Sequence, residues 1–127
     1  VTESGRDAFN TWMLAELAER DAEAASLHRF FFLGLMAPVD RVTILRNIVR
    51  RMKDELEKFT RLRDQVAAVE IAREHREVAD YQLATLEHGR EAQSRTLQWF
   101  AERLEQEERR HNRYLDKAPG SSAAAGA

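Results

Sequence analysis

The chain contains no cysteine, so disulfide bonds, cysteine-ligated metals and thiol nucleophiles are all excluded. It has only 5 glycines and 2 prolines, and no segment alternates β-branched with polar residues over the length of a strand. The longest apolar run, residues 30–37, is far too short to span a membrane. A formal net charge of −2 provides no global basic field to attract nucleic acid. We therefore expect a soluble, cytoplasmic protein.

The residues that are present favour long helices. Of the 127 residues, 43% are hydrophobic and 33% are charged, with a bias to Ala, Glu, Arg and Leu. This length is typical of one domain. The expected fold is all-α, with helices over about 3–18, 21–36, 38–70 and 75–115 inside a domain at 1–116. A disordered tail is expected at 117–127.

Local signals support these helix ends. Thr2 is a good N-cap, and an acidic Glu3 suits the first turn because helix N-termini favour negative charge. The boundary between the first two helices, near Asp21, is weakly marked. Pro38 ends the second helix and can serve as the first residue of the third. The second half of the second helix is apolar all round, which predicts burial on more than one side.

Apolar residues in both long helices recur with the 3/4 spacing of a coiled coil. Arg63 interrupts this seam in the third helix, whereas Arg90 and Gln93 interrupt it in the fourth. The seam residues proposed for the dimer and core are Val42, Leu45, Val49, Met52, Leu56 and Phe59, with Leu83, Leu86, Leu97, Phe100 and Leu104.

The length of the third helix favours a dimer. A helix over 38–70 spans on the order of 50 Å, whereas a compact domain of this size has a radius of gyration of about 14 Å. A second copy of the chain is the commonest partner for the surplus seam. We therefore expect two long, coiled-coil-like helices packed in an intertwined homodimeric bundle. The alternative is a monomeric bundle in which the helices fold back on each other.

Several short stretches share their order of residues with one family. They are Val1-Thr2-Glu3-x-Gly5-Arg6-x-Ala8, Phe30-Phe31-Phe32-Leu33-Gly34-Leu35, the turn at Pro38, Leu56 and Leu62 among acidic and basic residues, Tyr81-x-Leu83-x-x-Leu86-Glu87-x-Gly89, and Trp99-Phe100. From Val1 to about His111 this pattern resembles the C-terminal domain of PadR-like transcription regulators, also called the virulence-activator alpha C-terminal domain.

The resemblance implies a cytoplasmic, repressor-type regulator that binds operator DNA as a homodimer. The DNA-binding winged helix is expected N-terminal to Val1, and the present domain would join the two subunits. Relatives respond to small aromatic compounds such as phenolic acids, so a small aromatic effector is a possible partner.

Motifs for catalysis or cofactors are missing. The chain has no His-Glu-x-x-His motif, P-loop or dinucleotide-binding glycine fingerprint. Glu108-x-x-His111 matches half of a di-iron motif, but such a site needs two of these units and two further carboxylates. We therefore expect no enzymatic activity, no metal and no cofactor.

Two polar seam residues have competing interpretations. Arg90 and Gln93 could fix the register of helix packing, as buried polar residues do in coiled coils. Alternatively, they could hold a polar effector group in a pocket walled by Tyr81, Trp99 or Phe31. The mid-helix Gly89, and Gly34 likewise, are interpreted as points of close helix approach.

Two other functions remain open at this stage. The chain could be a free-standing helical interaction module that binds a different protein. It could also be a small-molecule-binding bundle in its own right. Both share the helical fold with the regulator hypothesis, so the sequence alone does not separate them.

Overall fold

The computed structural model describes residues 2–17 and 20–117, which form a helical bundle with an extended hairpin. The elements are α1 (Glu3–Leu14), α2 (Ala22–Phe31), a 3₁₀ turn (Leu33–Leu35), α3 (Pro38–Ala68), a second 3₁₀ turn (Arg73–His75) and α4 (Arg76–Lys117). Strands are absent from the described residues. The expected all-α fold with two long helices is confirmed.

The two long helices pack against each other as an antiparallel hairpin within one chain. Near the start of α3, Arg41 Nη1 lies 3.7 Å from Glu107 Oε1, late in α4. Near the end of α3, Arg63 Nη1 lies 3.3 Å from Glu87 Oε2, early in α4. Rising positions in α3 therefore match falling positions in α4, and the two 3/4 patterns face each other over most of their length.

The short helices α1 and α2 cover only one half of this hairpin. We call residues 38–54 and 94–117 the proximal half, and residues 55–68 and 76–93 the distal half. The Phe30 ring of α2 packs edge-on against Trp99 of α4, with ring centroids 4.9 Å apart. The core comprises Met13, Leu17, Ala22, Ala25, Leu33, Met36, Ile44, Leu45, Ile48, Val49, Met52 and Phe100.

Three helix starts agree with their sequence signals. Thr2 Oγ1 accepts a hydrogen bond from the Gly5 amide at 3.0 Å. Asp21 Oδ1 accepts one from the Ala24 amide at 3.0 Å, which marks the boundary before α2. Pro38 occupies the first turn of α3, where a missing N–H has no cost.

The first helix ends earlier than expected, at Leu14 instead of about residue 18. Ala15 is extended, and Arg29 of α2 donates from Nη1 to its carbonyl oxygen at 2.6 Å. Arg51 of α3 donates to the carbonyl oxygen of Leu17. These two guanidinium groups bind carbonyl oxygens of residues that follow α1, which stabilises the non-helical path of Ala15 to Leu17.

The second helix is also shorter than expected, because it ends at Phe31 and a 3₁₀ turn follows. Leu33 and Met36 in this stretch are buried, whereas Phe31 is 80% exposed and Leu35 is 75% exposed. The expectation of burial on more than one side is therefore wrong for the outer side chains.

Lys117 is the last residue of α4, and the rest of the tail predicted at 117–127 lies outside the described residues. Among the helices described, none combines the length and the apolar character that crossing a membrane requires.

Replacing Arg29 by Met should lower the free energy of unfolding by about 2 kcal/mol, because a buried charged hydrogen bond to Ala15 is lost. The guanidinium also lies 5.3 Å from the centre of the Trp12 ring. Urea denaturation measures the change. The exposed Arg50→Met variant is the control and should stay within about 0.5 kcal/mol of the parent. Equal effects of the two substitutions would contradict this role.

Candidate dimerisation surface

Burial along the third helix stops halfway, although its apolar pattern continues. The fully buried residues of α3 are Val42, Ile44, Leu45, Ile48, Val49 and Met52. Beyond Met52, the seam residues Leu56 and Phe59 are half-buried. The part of α3 that follows residue 54 extends on the order of 20 Å at about 1.5 Å per residue. The distal half therefore consists of two helices without a further covering layer from the described part of the chain.

The fourth helix shows the same division. Phe100 is fully buried, whereas Leu97 and Leu104 are half-buried beside the core. In the distal half Leu83 and Leu86 are half-buried, and Ala79 is the one fully buried residue described there. In the proximal half the predicted seams of α3 and α4 pack against each other within one chain. This is the arrangement that the fold-back alternative predicts. Apolar surface is left over in the distal half.

Two grooves follow the uncovered hairpin, the first mainly apolar and the second of mixed polarity. The first groove has a volume of about 530 Å³ and is lined by Leu62, Val66, Tyr81, Gln82, Thr85 and Leu86. The second groove has a volume of about 510 Å³ and is lined by Val66, Ala67, Val69, Glu70, Ile71, Arg76, Ala79, Asp80 and Leu83. Val66 contributes to both grooves. A two-helix hairpin with grooves beside it has the geometry of half a four-helix bundle.

The polar residues that interrupt the two seams meet in the distal half. Glu87 Oε2 accepts a hydrogen bond from Arg63 Nη1 of α3 at 3.3 Å. Glu87 Oε1 accepts one from Arg90 Nε at 3.0 Å. The hydrogen bond from Arg90, reinforced by the positive charges of Arg90 and Arg63, lowers the pKa of Glu87 below its ordinary value of 4.5. The same bond raises the pKa of Arg90. Arg90 thus contacts its own helix, while Arg63 makes the contact between the helices, and both interpretations of Arg90 stay open.

A glycine lets the helices approach closely beside this polar cluster. A Cβ atom added to Gly89 would lie 2.6 Å from Cε1 of Phe59, which is closer than such atoms can be. The interpretation of Gly89 as a point of close approach is confirmed. For Gly34 the same interpretation is wrong, because an added Cβ would meet no atom within 4 Å.

The residues predicted to form an effector pocket lie apart in the single chain. Tyr81 is 78% exposed and lines the first groove. Trp99 lies eighteen residues further along the same helix, on the order of 27 Å away. Phe31 packs against Phe32 with ring centroids 4.9 Å apart and is largely exposed. The Gln93 Oε1 atom is buried without a hydrogen-bond partner among the described residues. Tyr81 and Trp99 are therefore too far apart to wall one small pocket of a single chain, and the effector pocket stays a prediction.

Potential metal ligands are also dispersed. Glu108, of the Glu-x-x-His pair, faces Arg46 with 3.5 Å between Oε1 and Nε. Within the described ranges, no three His, Asp or Glu side chains are grouped closely enough to hold a metal ion.

Sequence reasoning missed two features of this surface. It did not connect Gly89 with Phe59, although a glycine in mid-helix signals that a neighbour lies close. It also did not pair Arg63 with Glu87, since both are charged residues in helices rich in charge. The i, i+3 spacing of Glu87 and Arg90 signals only their contact within α4, and no local pattern signals the contact of Glu87 with Arg63.

The geometry defines an all-α protein whose antiparallel hairpin projects beyond its own bundle. No family model matches the sequence, and neither the curated proteins nor the solved structures provide a significant match. A proposal about function therefore rests on the fold, the uncovered surface and the sequence of the chain itself.

Replacing Gly89 by Ala should lower the free energy of unfolding by about 1 kcal/mol. The higher helix propensity of Ala contributes about 1 kcal/mol, but overpacking against Phe59 costs about 1–3 kcal/mol. In a Phe59→Leu background the same change should be stabilising. A double-mutant cycle measured by urea denaturation gives the coupling, with Gly34→Ala as the control. A stabilising Gly89→Ala in the parent chain would contradict the close contact.

The lowered pKa of Glu87 makes its contribution to stability depend on pH. Because its pKa is lower folded than unfolded, the contribution is fully present above about pH 4.5 and is lost as pH falls through the lowered folded-state value. Glu87→Gln should therefore destabilise the protein at neutral pH, and the difference should shrink in acid. Thermal melts across this pH range test it. A difference that does not change with pH would refute the assignment.

Proposed function

We propose that this chain is the homodimerisation domain of a PadR-like transcription regulator. The observation that carries the dimer is the uncovered apolar face of the distal half, where Leu62, Val69 and Tyr81 are exposed along the two grooves. Fully burying an apolar side chain contributes roughly 1.5–3 kcal/mol. Covering this face with a partner therefore makes the free energy of association substantially more favourable.

A second copy of the chain would supply the missing layer over this face. Two such hairpins, side by side, complete a four-helix arrangement in which each hairpin supplies the layer that the other lacks. A two-fold axis places the same patch of each copy against the other. Val66 lies at the centre, since it lines both grooves.

The charges at the rim also suit a second copy. The second groove has Glu70 and Asp80 on its rim together with Arg76. A patch with both signs of charge is complementary to itself after a two-fold rotation, because acidic groups of one copy can face Arg76 of the other. The cluster of Arg63, Glu87 and Arg90 is already paired within the chain. Asp64 Oδ1 lies 3.0 Å from Arg63 Nε and supplies the second negative charge, so the cluster adds little net charge to a dimer interface.

The regulator assignment rests on the residues that resemble the PadR-like C-terminal domain. Under this proposal the protein acts in the cytoplasm, and operator DNA is bound by a winged helix N-terminal to Val1. The dimer sets the spacing of the two DNA-binding units on a pseudo-palindromic operator. Recruitment of DNA by the present domain itself is disfavoured by its net charge of −2.

Tyr81→Glu should convert the dimer to a monomer. Tyr81 lines the first groove and is 78% exposed, so a charge there leaves the single-chain fold intact. In the dimer the same charge would be buried without a partner, which destabilises the interface. Sedimentation equilibrium at micromolar concentrations should give twice the 14.7 kDa chain mass for the parent and the single mass for the variant.

Ser94→Glu is the matched control, because it adds the same charge at an exposed position of α4 outside both grooves. It should remain dimeric, and circular dichroism should show equal helicity for all three proteins. A parent chain that stays at 14.7 kDa up to high concentration would reject the homodimer and favour a heterologous partner.

A further inference from the structure

A separate cavity lies in the proximal half, on the opposite end of the hairpin from the proposed dimer surface. It has a volume of about 320 Å³ and opens between the 3₁₀ turn, the start of α3 and the last third of α4. Its lining comprises Phe30, Leu33, Gly34, Arg41, Leu45, Arg103, Gln106, Glu107 and Arg110. Three of these nine lining residues are arginines.

Two of the three arginines, Arg41 and Arg103, are positioned by contacts within the protein. Arg41 donates from Nε to the Met36 carbonyl oxygen at 2.9 Å and from Nη2 to that of Gly34 at 3.0 Å. The guanidinium of Arg103 lies 5.0 Å from the centre of the Trp99 ring. These contacts hold the charged groups in place before any ligand arrives, which reduces the entropy lost on binding.

The resident carboxylate does not balance this positive charge. Glu107 is 93% buried, since 7% of its surface is exposed, and its nearest arginine nitrogens are 3.7 Å away on Arg41 and 3.6 Å away on Arg110. Both distances are too long for hydrogen bonds, and Glu107 Oε1 has no hydrogen-bond partner among the described residues. Arg103 is not paired with Glu107 at all: its nearest acidic oxygen belongs to Glu102, 3.7 Å away and half-exposed.

Three guanidinium groups line the cavity, and with Glu107 and the outlying Glu102 counted against them one positive charge is left in excess. The Nε atom of Arg103 is buried and makes no hydrogen bond to a described residue. Guanidinium groups bind carboxylates and phosphates through paired, charge-assisted hydrogen bonds. An oxyanion entering the cavity would supply acceptors that Glu107 alone does not provide.

We propose that this cavity binds a small organic anion, with an oxyanion head between Arg103 and Arg110 and a short apolar tail. The tail would lie on Phe30, Leu33 and Leu45, which form the apolar part of the lining. A volume of about 320 Å³ is at the lower end of the range for ligand pockets, so the ligand is small. The head is a carboxylate or a phosphate, because both present the same acceptors to arginine.

Isothermal titration of the intact chain with hexanoate, hexyl phosphate and hexanol tests the site. Either anion, but not the neutral alcohol, should bind in a saturable way with a dissociation constant of about 1 mM or tighter. The stronger of the two anions identifies the head group. Because Trp99 touches Arg103, binding should also change the tryptophan fluorescence.

Variants on α4 distinguish the site from general attraction of anions. Arg103→Gln and Arg110→Gln should each weaken binding about tenfold, since each removes a charged hydrogen bond. Arg109→Gln is the matched control: it removes the same charge at an exposed position of α4 that does not line the cavity, and its affinity should remain within about twofold of the parent. Glu107→Gln should tighten binding, because it removes the like charge beside the anion.

Two results would overturn the proposal. One is the lack of saturable binding by both anions at about 10 mM. The other is an equal loss of affinity in Arg109→Gln and Arg103→Gln, which would indicate unspecific charge attraction. The Arg110 side chain is 64% exposed, so Arg110→Gln keeps the test valid if Arg103→Gln unfolds. Dimerisation is measured separately by Tyr81→Glu, so failure of the anion site leaves that proposal intact.

Discussion

The packing of α3 against α4 is the interaction on which the rest of the structure depends. It supplies most of the contacts between elements of the described chain, and the two short helices α1 and α2 attach to a hairpin that is already longer than they are. The mismatch in length has one direct consequence. The proximal half becomes a closed bundle around Met13, Met52 and Phe100, whereas the distal half keeps an apolar face that its own chain does not cover.

Arginine side chains organise much of this fold. Arg29 and Arg51 hold the carbonyl oxygens after α1, and Arg63 bridges the hairpin through Glu87. Guanidinium groups suit such places because their five donors can satisfy several acceptors while their alkyl stems pack against apolar neighbours. The three arginines of the proximal cavity differ from these, because only part of their charge is used by the protein itself.

The sequence predicted the helices and their period well, because both follow from local rules. Thr2 and Pro38 marked helix starts through capping and the geometry of proline, and the 3/4 spacing from Val42 onward identified the face that packs. The sequence could not predict which helix packs against each apolar face. The same seam would serve a neighbouring helix of the chain or of a second copy, and only the observed burial, which ends at Met52, divides the seam between them.

The location of an effector pocket was harder to predict from the sequence than the helices were, for a physical reason. Tyr81 and Trp99 share a helix and a chemical character, but eighteen residues of helix separate them by on the order of 27 Å. The cavity of the proximal half involves Arg41, Arg103 and Arg110, which look like ordinary surface charges in sequence. Their convergence depends on the hairpin register and on the 3₁₀ turn that brings the Gly34 carbonyl oxygen to Arg41.

Hydrogen exchange at several protein concentrations tests the central claim, that the distal half is covered by a second copy. The account predicts that amides in residues 55–68 and 76–93 become more protected as the concentration rises, while proximal amides near Met52 and Phe100 do not change. Exchange in the distal half that is independent of concentration would contradict it. So would a gain in protection confined to the proximal half, because the interface would then lie elsewhere.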